Sequence, residues 1–218
     1  MTGFEPSTHS VCNNNILKIY EKVQRNLEGF QLPSRFCGST ALVLLQYPNS
    51  KGVMSKLKII NLGDCRAVLC NASNIAIPLT KDHKPMSWDE NKRIERMGGQ
   101  IVTAPGDDPR INGLSVSRAF GDLDAKPHVS HEPDIYDYVL DVHKNNIIDR
   151  FIILACDGVW DVLSNQEAVD FILFTLDNVR VEKDLNTKTI KNVANSLGEY
   201  ALRKGSQDNI SIAIIFLQ

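Results

Sequence analysis

Three apolar runs, ALVLLQY (41–47), KLKIINL (56–62) and RAVLC (66–70), crowd into the stretch between residues 41 and 70. Each is rich in residues that suit a pleated sheet, and each is bounded by turn formers, so all three read as strands. The tripeptide GDC (63–65) reads as the tight turn of a hairpin between the second and third, which puts Asp64 at a strand end. A fourth strand, DRFIILACD, and a last one, NISIAIIFL, lie far downstream. Strands therefore come in runs with helices grouped between them. That grouping favours antiparallel sheets with helices packed outside, an α+β layered fold.

The helices carry their own punctuation. Residues 16–29 place Ile16, Leu17, Ile19, Tyr20, Val23 and Leu27 at mostly helical spacing, with Gly29 as a stop. In SWDENKRIERMGG, Ser87 and Glu90 have the spacing of a capping box, and Gly98-Gly99 ends the helix. Ser164 and Glu167 repeat that spacing ahead of a helix over 165–176. A final helix, about 187–204, aligns Ile190, Val193, Ala194, Leu197, Ala201 and Leu202 before Gly205.

Composition narrows the function classes. With 24 Lys and Arg against 26 Asp and Glu, the net charge of -2 argues against a broad surface for nucleic acid. No apolar run is long enough to span a bilayer, and the first residues lack a signal-peptide pattern. Cys12, Cys37, Cys65, Cys70 and Cys156 are odd in number and show no Cys-x-x-Cys spacing, so neither a disulfide framework nor a zinc site fits them. They read as reduced thiols of an intracellular, cytoplasmic protein.

Carboxylates mark the strand ends: Asp64, then Asp157 and Asp161 after FIILAC, and Asp208 before the last strand. Short, rigid oxygen donors of this kind suit hard cations such as Mg²⁺ or Mn²⁺. Such ions clamp phosphate and acidify a bound water. Taken singly, however, each aspartate reads as a turn former before a ligand, and Asp161 equally as a helix-entry acid. Composition and spacing alone leave the metal site as the minority reading.

The motif text weighs more. FCGSTALV, NLGDCRAVL, LTKDHKP, RIERMGGQI, RINGLSVSRAFGD, EPDI, FIILACDGVWDVLSNQEAVDF and GSQDNISIAIIF occur in one order from about Phe36 onward. Together they resemble the metal-dependent protein phosphatases of type 2C, which act on phosphoserine and phosphothreonine. The resemblance implies a four-layer α-β-β-α sandwich: two antiparallel sheets flanked by helices, with a cleft for a Mg²⁺ or Mn²⁺ pair at one end. It makes Asp157 and Asp208 ligands of the catalytic metals. Asp64, with Asp157 and Asp161, matches the group that holds a further, weaker metal. His83 to Asn112 corresponds to a flap that bears on substrate choice, and Arg118 to a structural residue beside it.

The family's Asp-Gly-His-Gly-Gly strand, with its bridging aspartate and proposed acid histidine, has no counterpart in these 218 residues; the one Asp-Gly pair is Asp157-Gly158. His9 lacks the flanking residues of that motif. Residues 1–35 are therefore expected to be an N-terminal segment with one helix, and 36–218 the phosphatase-like domain with its flap at about 83–112. The sequence would begin after the family's first strands and first helix. Two functions follow from the resemblance. One is metal-dependent hydrolysis of phosphoproteins. The other is a pseudophosphatase that binds or regulates a protein partner. A sheet edge left open by the absent strands would be covered by the N-terminal residues or by another polypeptide.

Overall fold

The computed structural model describes residues 12–30, 32–144, 146–181 and 187–217, with the backbone alone described at 32, 178–181 and 187–191. Helices α1 (Asn13–Glu28) and α2 (Leu32–Phe36) lead into strands β1 (Gly38–Ser39), β2 (Ala41–Tyr47), β3 (Lys56–Leu62), β4 (Arg66–Cys70) and β5 (Ala76–Pro78). Next come α3 (Trp88–Arg96), β6 (Ile101–Val102), β7 (Arg110–Ile111), β8 (Phe120–Gly121), β9 (Asp134–Val139), β10 (Val142–His143) and β11 (Asn146–Ile147). Strand β12 (Phe151–Ala155), helices α4 (Asp157–Trp160), α5 (Asn165–Val181) and α6 (Thr187–Arg203), and β13 (Ile212–Phe216) complete the order. His9 and the side chain of Ile190 lie outside what is described.

Two antiparallel sheets form the centre, one ordered β2-β3-β9 and the other β13-β12-β4-β5. Side-chain alternation along each strand builds the layers. On β3, Leu57 and Ile59 meet Ala67 and Leu69 of β4 and Ile152 of β12 between the sheets. The alternate residues Ile60 and Leu62 face outward onto Ile16 and Tyr20 of α1. On β12, Phe151, Ile153 and Ala155 point the other way, under Val169 and Ile172 of α5 and Val193 and Leu197 of α6. Helix, sheet, sheet and helix thus stack in that order. Strands apolar on both faces are what such burial demands.

Three local expectations are corrected. The GDC turn closes no hairpin, because β3 and β4 belong to different sheets. It carries the chain from one layer to the other, with Gly63 at φ 111, a conformation that L side chains rarely adopt. Ser87 caps α3 without a side-chain bond to it; its Oγ donates to Lys84 O at 2.8 Å instead. Glu90 is drawn away by two arginines, so no capping box forms there. The buried line of α1 is Ile16, Tyr20 and Gln24, whereas Ile19 is 55% and Val23 37% exposed. Gln24 is taken inside because its Oε1 accepts the Gly121 N–H at 3.0 Å, a buried donor that would otherwise be unpaired.

The second capping box does form. Ser164 N–H donates to Glu167 Oε2 at 2.9 Å, and Glu167 N–H to Ser164 Oγ at 3.2 Å. The helix it opens runs on to Val181, beyond the expected end at 176. Ser164→Ala is expected to cost about 1 kcal/mol of stability. Urea unfolding with an unchanged m-value would register the loss, and a shift indistinguishable from zero would show the cap to be ornamental.

Candidate functional site

The carboxylates gather where β4 and β12 leave their sheet. These strands pair antiparallel with Ala155 opposite Arg66, so continuing the register brings the segment of Asp157 to that of Asp64. Asp157 opens α4, and its Oδ1 accepts the N–H of Gly158 at 2.9 Å. Asp161 ends the same short helix. The loop of Asp208 packs against this turn. Cys156 Sγ bonds Asn209 O at 3.2 Å, and a Cβ on Gly158 would meet that same oxygen at 2.5 Å. Glycine is required there by close backbone approach. Asp208 itself is exposed, with Oδ1 accepting Asn209 N–H at 2.6 Å.

A residue that the sequence reading passed over dominates the electrostatics. Lys84 Nζ lies 2.5 Å from Asp64 Oδ2. Asp64 is buried, its side chain 3% exposed, while Lys84 reaches it from a partly exposed position. Burial pushes the Asp64 carboxyl up, the Lys84 bond opposes that, and the charge of Asp157 adds to it, leaving a raised pKa. Burial works against the Lys84 ammonium, but Asp64, Asp161 and Asp157 outweigh it and hold its pKa above the ordinary lysine value. Asp161 is likewise pushed up, first by burial, with Lys84 opposing and Asp157 and Asp108 contributing.

His83 is what aims Lys84. Its backbone N–H donates to Gly63 O at 3.0 Å, and its Nδ1 accepts the Gly63 N–H at 2.9 Å. That acceptor role leaves the proton of the neutral ring on Nε2, which lies 3.2 Å from Asp134 Oδ2. The segment after β5 is thus clipped to the inter-sheet turn at two points, and the next residue lands on Asp64. The motif text LTKDHKP contains this lysine, but no linear signal pairs it with a carboxylate twenty residues earlier.

Beside the pair, a cleft of about 290 Å³ is lined by Lys84, Met86, Asp108, Pro109, Ser115 and Asp161. Its far wall belongs to the segment between α3 and β8. Ile111 and Ala119 of that segment pack with Ile94 of α3 and with Ala125 and Val129 beyond β8 into a small core of their own. Arg118 fastens it to the sheet. Its guanidinium donates to Glu90 Oε1 at 2.6 Å and to Asp134 Oδ1 at 2.9 Å.

Do these donors fit a divalent pair? Among the described residues, no three His, Cys, Asp or Glu side chains converge on one point. Asp64 is already bonded to an ammonium. Asp64, Asp157 and Asp161 share a neighbourhood with Lys84. The described set does not fit a metal pair, which needs several oxygen donors around each ion.

The family model described as Protein phosphatase 2C matches residues 6–210 of this sequence. The chain belongs to the protein phosphatase 2C family. A PP2C-like domain-containing protein of Acanthamoeba polyphaga mimivirus is 45% identical over 173 residues, covering 73% of this chain and 93% of that relative. Protein phosphatase 1B of mouse is 35% identical over 227 residues, covering 98% of this chain, which spans 52% of that relative's length. Among solved structures, a serine-threonine phosphatase 2C from Toxoplasma gondii aligns with a TM-score of 0.72 at 27% identity, covering 94% of this chain and 67% of that one. A sex determining protein of C. elegans, at 24% identity and a TM-score of 0.76, shares the fold; the alignment covers 98% of this chain and 48% of that one. The antiparallel α+β architecture is therefore that of the phosphatase 2C family. Among the described residues, no helix is long and apolar enough to cross a membrane.

Proposed function

We propose that this phosphatase 2C domain acts by itself as a pseudophosphatase, a module that binds or regulates a protein partner without turning over phosphoprotein. The observation that carries the reading is the Lys84–Asp64 ion pair, together with the failure of three donors to converge among the described residues. Lys84 and Arg66 stand against Asp64, Asp82, Asp157 and Asp161, which leaves that end of the molecule negatively charged. A phosphate dianion is repelled by such a field unless further positive charge is brought in. Five free thiols support an intracellular setting.

A second reading, hydrolysis with donors contributed by another polypeptide, is favoured by two observations. Strand β2 has one neighbour, β3, among the described residues, so its other edge is free to pair. Near its start, Leu42 joins Leu154 and Ala213 in a cavity of about 290 Å³ between the sheets. In that case Mg²⁺ or Mn²⁺ would supply the hydroxide, and phosphoserine or phosphothreonine proteins would be the substrates, as the family implies.

The two readings separate in one assay. The chain is incubated with p-nitrophenyl phosphate and a phosphothreonine peptide, with and without Mn²⁺, and Mn²⁺ binding is followed by calorimetry. The expected outcome is no metal-dependent release and no stoichiometric heat. Metal-dependent release that disappears in Asp157→Ala would overturn the pseudophosphatase reading.

A further inference from the structure

Two of the five cysteines meet at the end of the molecule that bears the acids. Strands β4 and β12 run antiparallel, with Leu154 opposite Ala67 and Ala155 opposite Arg66. One step further along both chains sets Cys156 opposite Cys65. The Cys156 N–H points away from β4, bonding Ser211 O at 3.2 Å on the opposite side. Its relation to Cys65 is therefore that of a non-hydrogen-bonded pair, the closer of the two antiparallel kinds, with Cα atoms about 4.5 Å apart. Disulfides span Cα separations of roughly 4.4–6.8 Å.

Alternation puts both side chains on one face. Ala67 and Leu69 of β4 and Ile152 of β12 point between the sheets, and Cys65 and Cys156 stand at even steps from them. Both sulfurs accordingly line the same inter-sheet cavity, about 290 Å³, together with Leu42 and Leu154. Neither thiol is fully buried, and neither is disulfide-bonded. Each is held by a neighbour: Ser211 N–H donates to Cys156 Sγ at 3.2 Å, and Thr40 Oγ1 lies 3.4 Å from Cys65 Sγ.

We infer that Cys65 and Cys156 form a dithiol that a hydroperoxide converts to a reversible cross-strand disulfide. Cys156 sulfur, which receives the Ser211 N–H and is bonded to Asn209 O, attacks one oxygen of hydrogen peroxide. The O–O bond breaks, leaving a sulfenic acid and, with the thiol proton, one water. Cys65 sulfur then attacks Cys156 sulfur; the S–S bond forms, the S–O bond breaks, and the departing oxygen leaves as water with the Cys65 proton. In sum, two thiols and one peroxide give one disulfide and two waters. The bond ties the Gly63–Cys65 turn to the end of β12, at the points where Asp64 and Asp157 leave the sheet. This inference is independent of whether the domain turns over phosphate.

The test treats the 218-residue chain with one equivalent of hydrogen peroxide, blocks remaining thiols with iodoacetamide, and maps peptides without reduction. A peptide linking Cys65 to Cys156 is expected, with free thiols falling from five to three per chain and returning on addition of dithiothreitol. In Cys65→Ser the cross-link is lost, and a sulfenic acid at Cys156 becomes trappable by dimedone. Exposed Cys12 and Cys37 serve as internal controls. The inference is overturned if Cys65 and Cys156 stay alkylatable while those two oxidise, or if either one links to Cys12 or Cys37 instead. The wild-type peptide map decides this even where a serine variant folds poorly.

Discussion

Glu90→Gln is expected to lower the unfolding free energy by about 3 kcal/mol at pH 7. The Glu90 side chain is 3% exposed and stands between two guanidinium groups, Arg118 at 2.6 Å from Oε1 and Arg93 at 2.9 Å from Oε2. Burial alone would raise its pKa, but the bonds from Arg118 and Arg93 overcome that and bring it down from 4.5 to about 2. Arg93 also donates to Ser117 O and His128 O, each at 2.9 Å, and Arg118 to Glu132 O at 2.9 Å. Glutamine keeps the shape of the site but leaves the Arg93 guanidinium without a counter-charge and Arg118 with Asp134 alone, the costly way to break such a network.

The same linkage sets a pH window. The folded-state pKa lies below the unfolded one, so the contribution is complete above about 4.5 and fades as pH falls toward about 2. Urea unfolding of both proteins from pH 7 down to pH 3 should show the gap between them narrowing. A gap below 1 kcal/mol at pH 7, or one that holds constant to pH 3, would remove Glu90 as the anchor of this segment.

Trp160→Ala is expected to cost about 3–5 kcal/mol, the range for deleting a buried aromatic side chain. The indole is packed in the cluster beneath α5 and α6 with Ile153, Val159, Leu163 and Ala168. Its Nε1 donates to Ala155 O at 2.9 Å, and the Arg66 guanidinium sits 5.3 Å over its ring. Arg66 in turn makes two bonds to Asp82, at 2.9 and 2.7 Å. The tryptophan of Cys-Asp-Gly-Val-Trp-Asp therefore works as a peg. It seats the single turn of α4 that carries Asp157 at its start and Asp161 at its end. Trp160→Phe, which keeps most of the buried ring but drops the hydrogen bond, should lose clearly less. Denaturant midpoints for the two variants decide it, and an alanine variant within 1 kcal/mol of wild type would contradict the peg.

Much of the local structure was legible before any coordinates. Strands 41–47, 56–62 and 66–70 occur with those bounds, and the Ser164–Glu167 box opens α5 as its spacing implies. Both are written in residues close together in the chain, where periodicity and capping act directly. The other serine-glutamate pair shows where that logic stops. Ser87 and Glu90 have the same spacing, but Arg118 from a distant segment, with Arg93 of the same helix, offers Glu90 a stronger bond than a helix terminus can. Gln24 breaks the apolar stripe of α1 for a parallel reason: a buried amide 97 residues away needs its oxygen.

The acids at the strand ends were visible as residue types, as were the motifs that assign the family. Their company was not. That GDC bridges two sheets, that Lys84 closes on Asp64, and that Cys65 comes to stand opposite Cys156 all depend on strand register and on contacts between distant segments. Periodicity reports which face of an element is buried; it is silent on which element will lie against that face. Charge pairing and thiol pairing are decided at that second step, because both fall off within a few ångströms and are set by packing that no short window of sequence contains.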